Sequence, residues 1–143
     1  MTDLLSLDEA ALAQLPLDTL LSALGESDSE ARACAIYGLG TRHEPEAISA
    51  LVACLADASS FLARTATDSL ERIGKPAVSA LIEALTHQDA QTRGLAARAL
   101  AHIKDTSSIP ALFKTLEDES AIAQYWADEA LERMGAGMAY FKA

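Results

Sequence analysis

The chain of 143 residues is long enough for one domain of ordinary size, and its 21 Asp and Glu against 11 Lys and Arg leave a net charge of -10. This charge disfavours binding to the phosphates of nucleic acid, and no apolar run reaches the roughly 18 to 20 residues that a membrane span needs. The N-terminus lacks the features of a signal peptide and two Cys make no disulfide framework, so we expect a cytoplasmic protein.

The first predicted element is an N-terminal capping helix. Its apolar side chains are Leu4, Leu5, Leu12 and Leu15. We expect the helix to end before Pro16, because proline in a helix interior removes a backbone hydrogen bond and breaks the helix. We assign residues 1–27 to this N-terminal cap.

The chain then repeats about every 31 residues. One series of leucines is spaced by 31, 30 and 31: Leu20, Leu51, Leu81 and Leu112. A second series has the same spacing: Leu39, Leu70, Leu100 and Leu131. An alanine stands four residues before each member of the second series: Ala35, Ala66, Ala96 and Ala127. Large residues recur at the same positions of each repeat, and so do small ones. This pattern indicates structural repeats in which each repeat buries an apolar face against the next.

Each repeat contains an A segment and a B segment with helical periodicity, such as 92–103 and 109–116. Each B segment carries one apolar stripe, and proline, glycine or polar clusters separate the segments. The predicted fold is all-α, a right-handed α-solenoid of stacked helical hairpins. Its predicted repeats are 28–57, 58–88 and 89–118, followed by a degenerate repeat at 119–143. We expect its core to contain the whole second leucine series together with Leu51, Leu81 and Leu112.

Three segments carry a family resemblance: Glu44–Leu51, Ala97–Ile103 and Ser108–Leu112. They resemble HEAT-like repeats, most of all the short variety of the phycobilisome lyase type, and the likeness covers most of the chain. Arg32 and Arg93 match the structural arginine of that family, whereas Ala63 and Gln124 depart from it. The resemblance implies an α-solenoid and a relation to proteins that attach or remove open-chain tetrapyrroles on phycobiliproteins.

The residues form no catalytic or metal-binding pattern. His43, His87 and His102 lie in different repeats, and no two have the spacing of a helical metal pair. We interpret them as solvated or capping histidines, and Cys34 and Cys54 as small packed thiols. There is no glycine-rich phosphate loop and no Gly-x-Ser-x-Gly, so we predict neither a catalytic residue nor a metal or cofactor.

The B-helix face opposite the apolar stripe is the first candidate binding surface. By analogy with HEAT stacks it lines the concave side, where a helix or loop of another protein would fit; the alternative is an ordinary solvated face. The predicted contact residues are Asp57, Glu83, His87, Lys114 and Asp118. Three carboxylates against one lysine make a mildly acidic groove, which favours a partner with a basic or mixed patch.

The C-terminal end is the second candidate surface, because aromatic side chains and methionines concentrate there. The predicted contact residues are Trp126, Met138, Tyr140 and Phe141. A solenoid normally ends in a polar cap, so either the tail folds back over the last A helix or it docks on another chain, including a second copy in a homodimer.

We therefore favour a non-catalytic adaptor or chaperone that binds a partner protein through the concave B-helix face and the C-terminal end. The alternative, implied by the family resemblance, is a subunit or relative of the bilin lyases with a phycobiliprotein as partner. A purely structural element is a third reading. The partners we do not expect are nucleic acid and membranes.

Overall fold

A computed structural model of the protein describes residues 3–136, and this part of the chain is helical without strands. Its α-helices are α1 (Glu9–Ala13), α2 (Leu17–Ala23), α3 (Ser29–Leu39), α4 (Pro45–Ala53), α5 (Ser60–Ile73), α6 (Val78–Ala84), α7 (Ala90–Ile103), α8 (Ile109–Thr115) and α9 (Ala121–Arg133). Short 3₁₀ turns span Leu4–Ser6, Cys54–Ala56, Lys75–Ala77 and Thr106–Ser108. The prediction of an all-α fold is confirmed. None of the helices within residues 3–136 is long and apolar enough to cross a membrane.

The chain divides after Ile73 into two compact units. In the first unit, α3 packs against α5, while α2 packs on α3 and α4 packs on α5. In the second unit, α7 packs against α9, while α6 packs on α7 and α8 packs on α9. The A helices of the repeats are α3, α5, α7 and α9, and the B helices are α2, α4, α6 and α8. Within each unit, therefore, the A helices lie side by side and each B helix packs on the A helix that follows it.

The in-phase leucines form the core of both units. The side chains predicted to be buried have 0% exposure: Leu39, Leu51, Leu70, Leu81, Leu100, Leu112 and Leu131. The in-phase alanines are equally buried: Ala35, Ala66, Ala96 and Ala127. This confirms that the period of the sequence is the period of the packing.

Small residues allow the A helices to approach closely. A Cβ atom at Gly94 of α7 would lie 2.9 Å from Cγ2 of Ile122 on α9. In the first unit, the Ser69 hydroxyl on α5 donates a hydrogen bond to the carbonyl of Ile36 on α3, at 3.0 Å. Larger side chains at these positions would separate the helices, so the small residues of the A segments are a packing requirement.

The breaks between A and B helices follow the glycine and proline signals of the sequence. Gly74 has a φ of 74° and begins the 3₁₀ turn that leads into α6. Pro45 and Pro110 stand in the first turns of α4 and α8, where a missing N–H removes no helical hydrogen bond.

The N-terminal cap differs from the single helix that we expected. Before Pro16 the cap contains the turn Leu4–Ser6 and the separate short helix α1 in place of one helix. Asp3 and Asp8 each accept a hydrogen bond from a backbone N–H two or three residues later, so each aspartate begins a new turn. Leu12 is buried as expected, whereas Leu5 is 47% exposed.

Candidate binding groove

A groove of about 970 Å³ opens in the second unit along its B helices. It is formed by α6, α8 and the loops that follow them. Its apolar side chains include Ile82, Leu85, Pro110 and Ala111. The structure brings four of the predicted contact residues together in this groove: Glu83, His87, Lys114 and Asp118. Two B helices one repeat apart present the same face, which is why residues about 30 positions apart meet here.

One arginine joins the two loops of the groove. Arg93, in the first turn of α7, donates through Nε and Nη2 to the two carboxylate oxygens of Asp118, at 2.8 and 3.1 Å. Its Nη1 donates to the backbone carbonyls of His87 and Gln88, each at 2.9 Å. The side chains of Arg93 and Asp118 are only 15% and 11% exposed, so these charge-assisted bonds are largely shielded from water. We call this arrangement the Arg93 clasp.

The Arg93 clasp favours the ionised form of Asp118. The hydrogen bond from Arg93 holds the pKa of the Asp118 carboxyl below its usual value; burial partly opposes this effect, and the Ser120 N–H adds to it. The same carboxylate raises the pKa of Arg93 further above its usual value. Asp118 is therefore an ionised group whose charge is already paired within the protein.

Other charged side chains line the groove without an ion pair of their own among residues 3–136. Glu83, Glu117, Glu119 and Lys114 are all exposed. The charges of Arg93 and Asp118 cancel each other. The remaining charged groups are three carboxylates and one ammonium, so the groove is acidic. Sequence reasoning missed Glu117 and Glu119 because they lie off the helical register that predicted Lys114 and Asp118.

His87 occupies a loop position that aspartate holds in the neighbouring repeats. There, Asp57 and Asp118 each accept a hydrogen bond from the backbone N–H two residues later, in both cases at 2.8 Å. His87 does the same through Nδ1, which accepts from the N–H of Asp89 at 3.0 Å. A neutral ring whose Nδ1 accepts this bond carries its proton on Nε2, which is then the donor.

The equivalent clasp in the first unit is looser. Arg32 on α3 contacts Asp57 through a single bond of 3.2 Å, and these side chains are 28% and 20% exposed. Asp57 belongs to the first unit and is not among the residues that line the second-unit groove. The middle repeat carries Ala63 and His87 at the matching positions, which form no such pair. Sequence reasoning predicted neither clasp, although both join an arginine to an aspartate 25 residues later.

A second groove, of about 710 Å³, lies in the first unit beside α2. Its acidic side chains are Asp3, Asp18, Glu26 and Asp28. Two of these carboxylates already cap helical turns, since Asp3 accepts from the N–H of Leu5 and Asp28 from that of Glu30. Sequence reasoning did not single out this groove.

The predicted C-terminal surface is described only in part. Trp126 on α9 is half-buried, with the Tyr125 ring edge-on at 5.2 Å and the His102 ring at 6.1 Å. The guanidinium of Arg98 lies 5.8 Å from the Trp126 ring centroid. Tyr125 is 57% exposed. The other predicted contact residues of this end lie outside the described residues: Met138, Tyr140 and Phe141.

The cysteines are free thiols that are partly buried. Burial raises the pKa of Cys34 and of Cys54 above the usual value, and nearby carboxylates add to the effect. Such thiols stay protonated at neutral pH, which fits packing better than nucleophilic chemistry. Within residues 3–136, no cluster of three or more His, Cys, Asp and Glu side chains is placed to hold a metal ion.

Comparison with known proteins identifies the repeats. The profile of the HEAT repeats family matches residues 17–86 and 78–139. The chain belongs to the HEAT-repeat family, and its fold class is the α-solenoid of helical hairpins.

Solved structures extend this finding. The complex of CpcE and CpcF of phycocyanin lyase from Nostoc sp. PCC7120 is 30% identical, with a TM-score of 0.58 over 86% of this chain and 55% of that chain. This chain thus spans about half the length of the lyase chain, and its resemblance to the phycobilisome lyase type is confirmed. A designed armadillo repeat protein in complex with the peptide (KR)4 is 22% identical, with a TM-score of 0.50 over 82% and 64% of the two chains, which shows the fold alone. No curated protein matches the sequence.

Proposed function

We propose that this chain is a non-catalytic adaptor or chaperone that binds a segment of a partner protein in the second-unit groove. The observation that carries the proposal is the groove itself, which combines an apolar surface at Ile82, Leu85 and Ala111 with unpaired charges at its rim. Grooves of this composition suit a helix or extended segment, since apolar contact supplies affinity and the rim supplies specificity.

The residues of the groove would take different parts in binding. Glu83 and Lys114 are exposed and have no ion pair among the described residues, so they are the proposed charged contacts. His87 would offer its Nε2–H as a donor. Asp118 would act through the Arg93 clasp, by holding the loops of the groove in place, and Asp57 would have the same role in the first unit.

A blocking substitution tests the groove. Ala111 lines the groove on α8 and is half-buried, so Ala111→Trp would fill the space with an indole. Peptides selected from a random displayed library against the wild-type protein should lose binding to this variant. The matched control is Ala121→Trp, the same change at an exposed position of α9 that does not line the groove. Equal binding of the selected peptides by both variants would refute the proposal.

The C-terminal end would be a second contact surface. Tyr125 and Ile122 are 57% and 60% exposed on α9, which leaves apolar area for a partner or for a second copy in a homodimer. Deleting residues 137–143, which include Met138, Tyr140 and Phe141, should then weaken association with little change in melting temperature. Analytical ultracentrifugation at micromolar concentration measures the homodimer directly. An unchanged sedimentation profile together with unchanged peptide binding would exclude this role for the end.

A second candidate function is that of a subunit or relative of the bilin lyases, acting on a phycobiliprotein. The observation in its favour is the 30% identity to the phycocyanin lyase complex across 86% of this chain. Against it, Lys114 is the one unpaired cation that lines the described groove, where the propionates of a tetrapyrrole would need more. Mixing the protein with an apo-phycobiliprotein and an open-chain tetrapyrrole tests it: covalent pigment attachment that depends on this chain would favour the lyase.

A further inference from the structure

We propose that the occupant of the second-unit groove is an extended basic protein segment, in which Lys or Arg alternates with small or apolar residues. This inference rests on the proposed function and specifies the chemistry of the partner. Three properties of the groove support it: the sign of its unpaired charges, the elements that supply them, and its apolar surface.

The unpaired charges of the groove are mainly negative. Glu83, Glu117 and Glu119 face one opposing charge, Lys114, while Arg93 and Asp118 cancel each other at 2.8 Å. The chain as a whole carries a net charge of -10, which adds a long-range attraction for cations. An acidic segment would therefore meet repulsion both on approach and in the groove.

The carboxylates come from both elements that form the groove. Glu83 stands on α6, whereas Glu117 and Glu119 stand in the loop after α8, so cations at separate points along a bound segment could each meet a carboxylate. The side chains of Ile82 and Ala111 line the space between these elements. Long basic side chains suit such a surface, because their methylene stems can cover apolar groups while the charged ends reach the rim.

An extended chain matches this arrangement better than an amphipathic helix. Successive side chains of an extended segment point to opposite sides, so small or apolar residues can face the groove floor while cations alternate toward the rim. A helix would present a wide apolar stripe, whereas in this groove the exposed Glu83 and Lys114 stand among the apolar side chains.

Three labelled synthetic peptides of about twelve residues test the inference by fluorescence anisotropy. They share the same alternating Ala, Leu and Ser residues and differ only in the remaining positions, which are Lys, Gln or Glu. The Lys peptide should bind at least about tenfold more tightly than the Gln peptide at low salt, and this advantage should shrink as salt rises. The Glu peptide should not bind measurably.

Charge-neutralising variants assign the binding to the groove. The triple variant Glu83→Gln, Glu117→Gln, Glu119→Gln should weaken the Lys peptide by about tenfold or more, and Lys114→Gln should strengthen its binding. The control triple variant neutralises the same number of exposed carboxylates outside the groove: Glu30→Gln, Glu46→Gln, Glu132→Gln. It should change the dissociation constant by less than about threefold, since distant exposed charges are screened. Circular dichroism verifies that each variant is folded.

The outcomes separate this inference from the proposed function. Tighter binding of the Gln or Glu peptide that Ala111→Trp abolishes would overturn the basic partner and leave the groove as a binding site. Equal loss of Lys-peptide binding in both triple variants would mean attraction to net charge alone and would also overturn the inference. If no peptide binds, the inference is overturned, and the library selection against Ala111→Trp decides whether the groove binds protein at all.

Discussion

The Arg93 clasp should couple Arg93 and Asp118 strongly in a double-mutant cycle. The variants are Arg93→Ala, Asp118→Ala and the two together. The pair has two charge-assisted bonds, of 2.8 and 3.1 Å, between side chains only 15% and 11% exposed. Fully exposed pairs contribute about 0.2–1 kcal/mol, and hydrogen bonds to charged groups contribute about 1.5–3 kcal/mol. The Arg93–Asp118 pair is mostly buried but not fully, so we expect a coupling energy between these two ranges, of about 1–2 kcal/mol.

The clasp of the first unit is the internal control. Arg32 and Asp57 share a single bond of 3.2 Å, and their side chains are 28% and 20% exposed. Solvent screening should reduce their coupling to about 0.5 kcal/mol or less. Urea unfolding measures both cycles, with far-UV circular dichroism for the whole chain and the single tryptophan, Trp126, as a probe of the second unit. An Arg93–Asp118 coupling no larger than that of Arg32–Asp57 would refute the link between bond geometry, burial and strength.

The same clasp predicts a dependence on pH. Because the folded-state pKa of Asp118 lies below its usual value, its ionised form is stabilised by folding. This contribution is fully present above the usual carboxyl pKa of about 4 and is lost as pH falls through the lowered folded-state pKa. Asp118→Ala should therefore flatten the fall in stability below about pH 4, as measured by urea unfolding at a series of pH values. An unchanged acid profile would contradict the assignment.

Further predictions concern packing and reactivity. Leu81→Ala should cost about 2–5 kcal/mol in urea unfolding, because Leu81 has 0% exposure; a loss below about 1 kcal/mol would refute the assigned core. Gly94→Ala should destabilise the wild-type protein, because the new Cβ would lie 2.9 Å from Cγ2 of Ile122, yet it should stabilise an Ile122→Ala background by about 0.5–1 kcal/mol through helix propensity. Destabilisation in both backgrounds would contradict this. Alkylation of Cys54 by iodoacetamide, followed against pH in a Cys34→Ser variant, should have its midpoint above that of a free cysteine, because burial raises the pKa of the thiol; a midpoint near neutral pH would disprove it.

The repeat pattern predicted most of the fold because each repeat packs against a structurally equivalent neighbour. Such packing requires the same residue types at the same interval along the chain. A leucine such as Leu100 is buried between helices that recur every 30 or 31 residues, so its partners recur at the same interval. The helix periodicity predicted the face shared by Glu83 and Lys114, and these residues do line one groove. The part of the N-terminal cap before Pro16 lies outside the repeats. There, Asp3 and Asp8 cap two separate turns, where the apolar pattern alone predicted one helix.

The sequence by itself determined the period, the helical hairpins, the buried leucines and the face on which Glu83 and Lys114 stand. Each of these follows from local periodicity or from a spacing that the repeat enforces. Only the tertiary structure decided which charges of the groove are paired. Asp118 and Glu119 are adjacent in the chain and look alike as acidic loop residues, yet Arg93 reaches one carboxylate and leaves the other exposed. Pairing depends on atomic distances of about 3 Å between separate elements, and such distances are set by how helices pack and not by residue type.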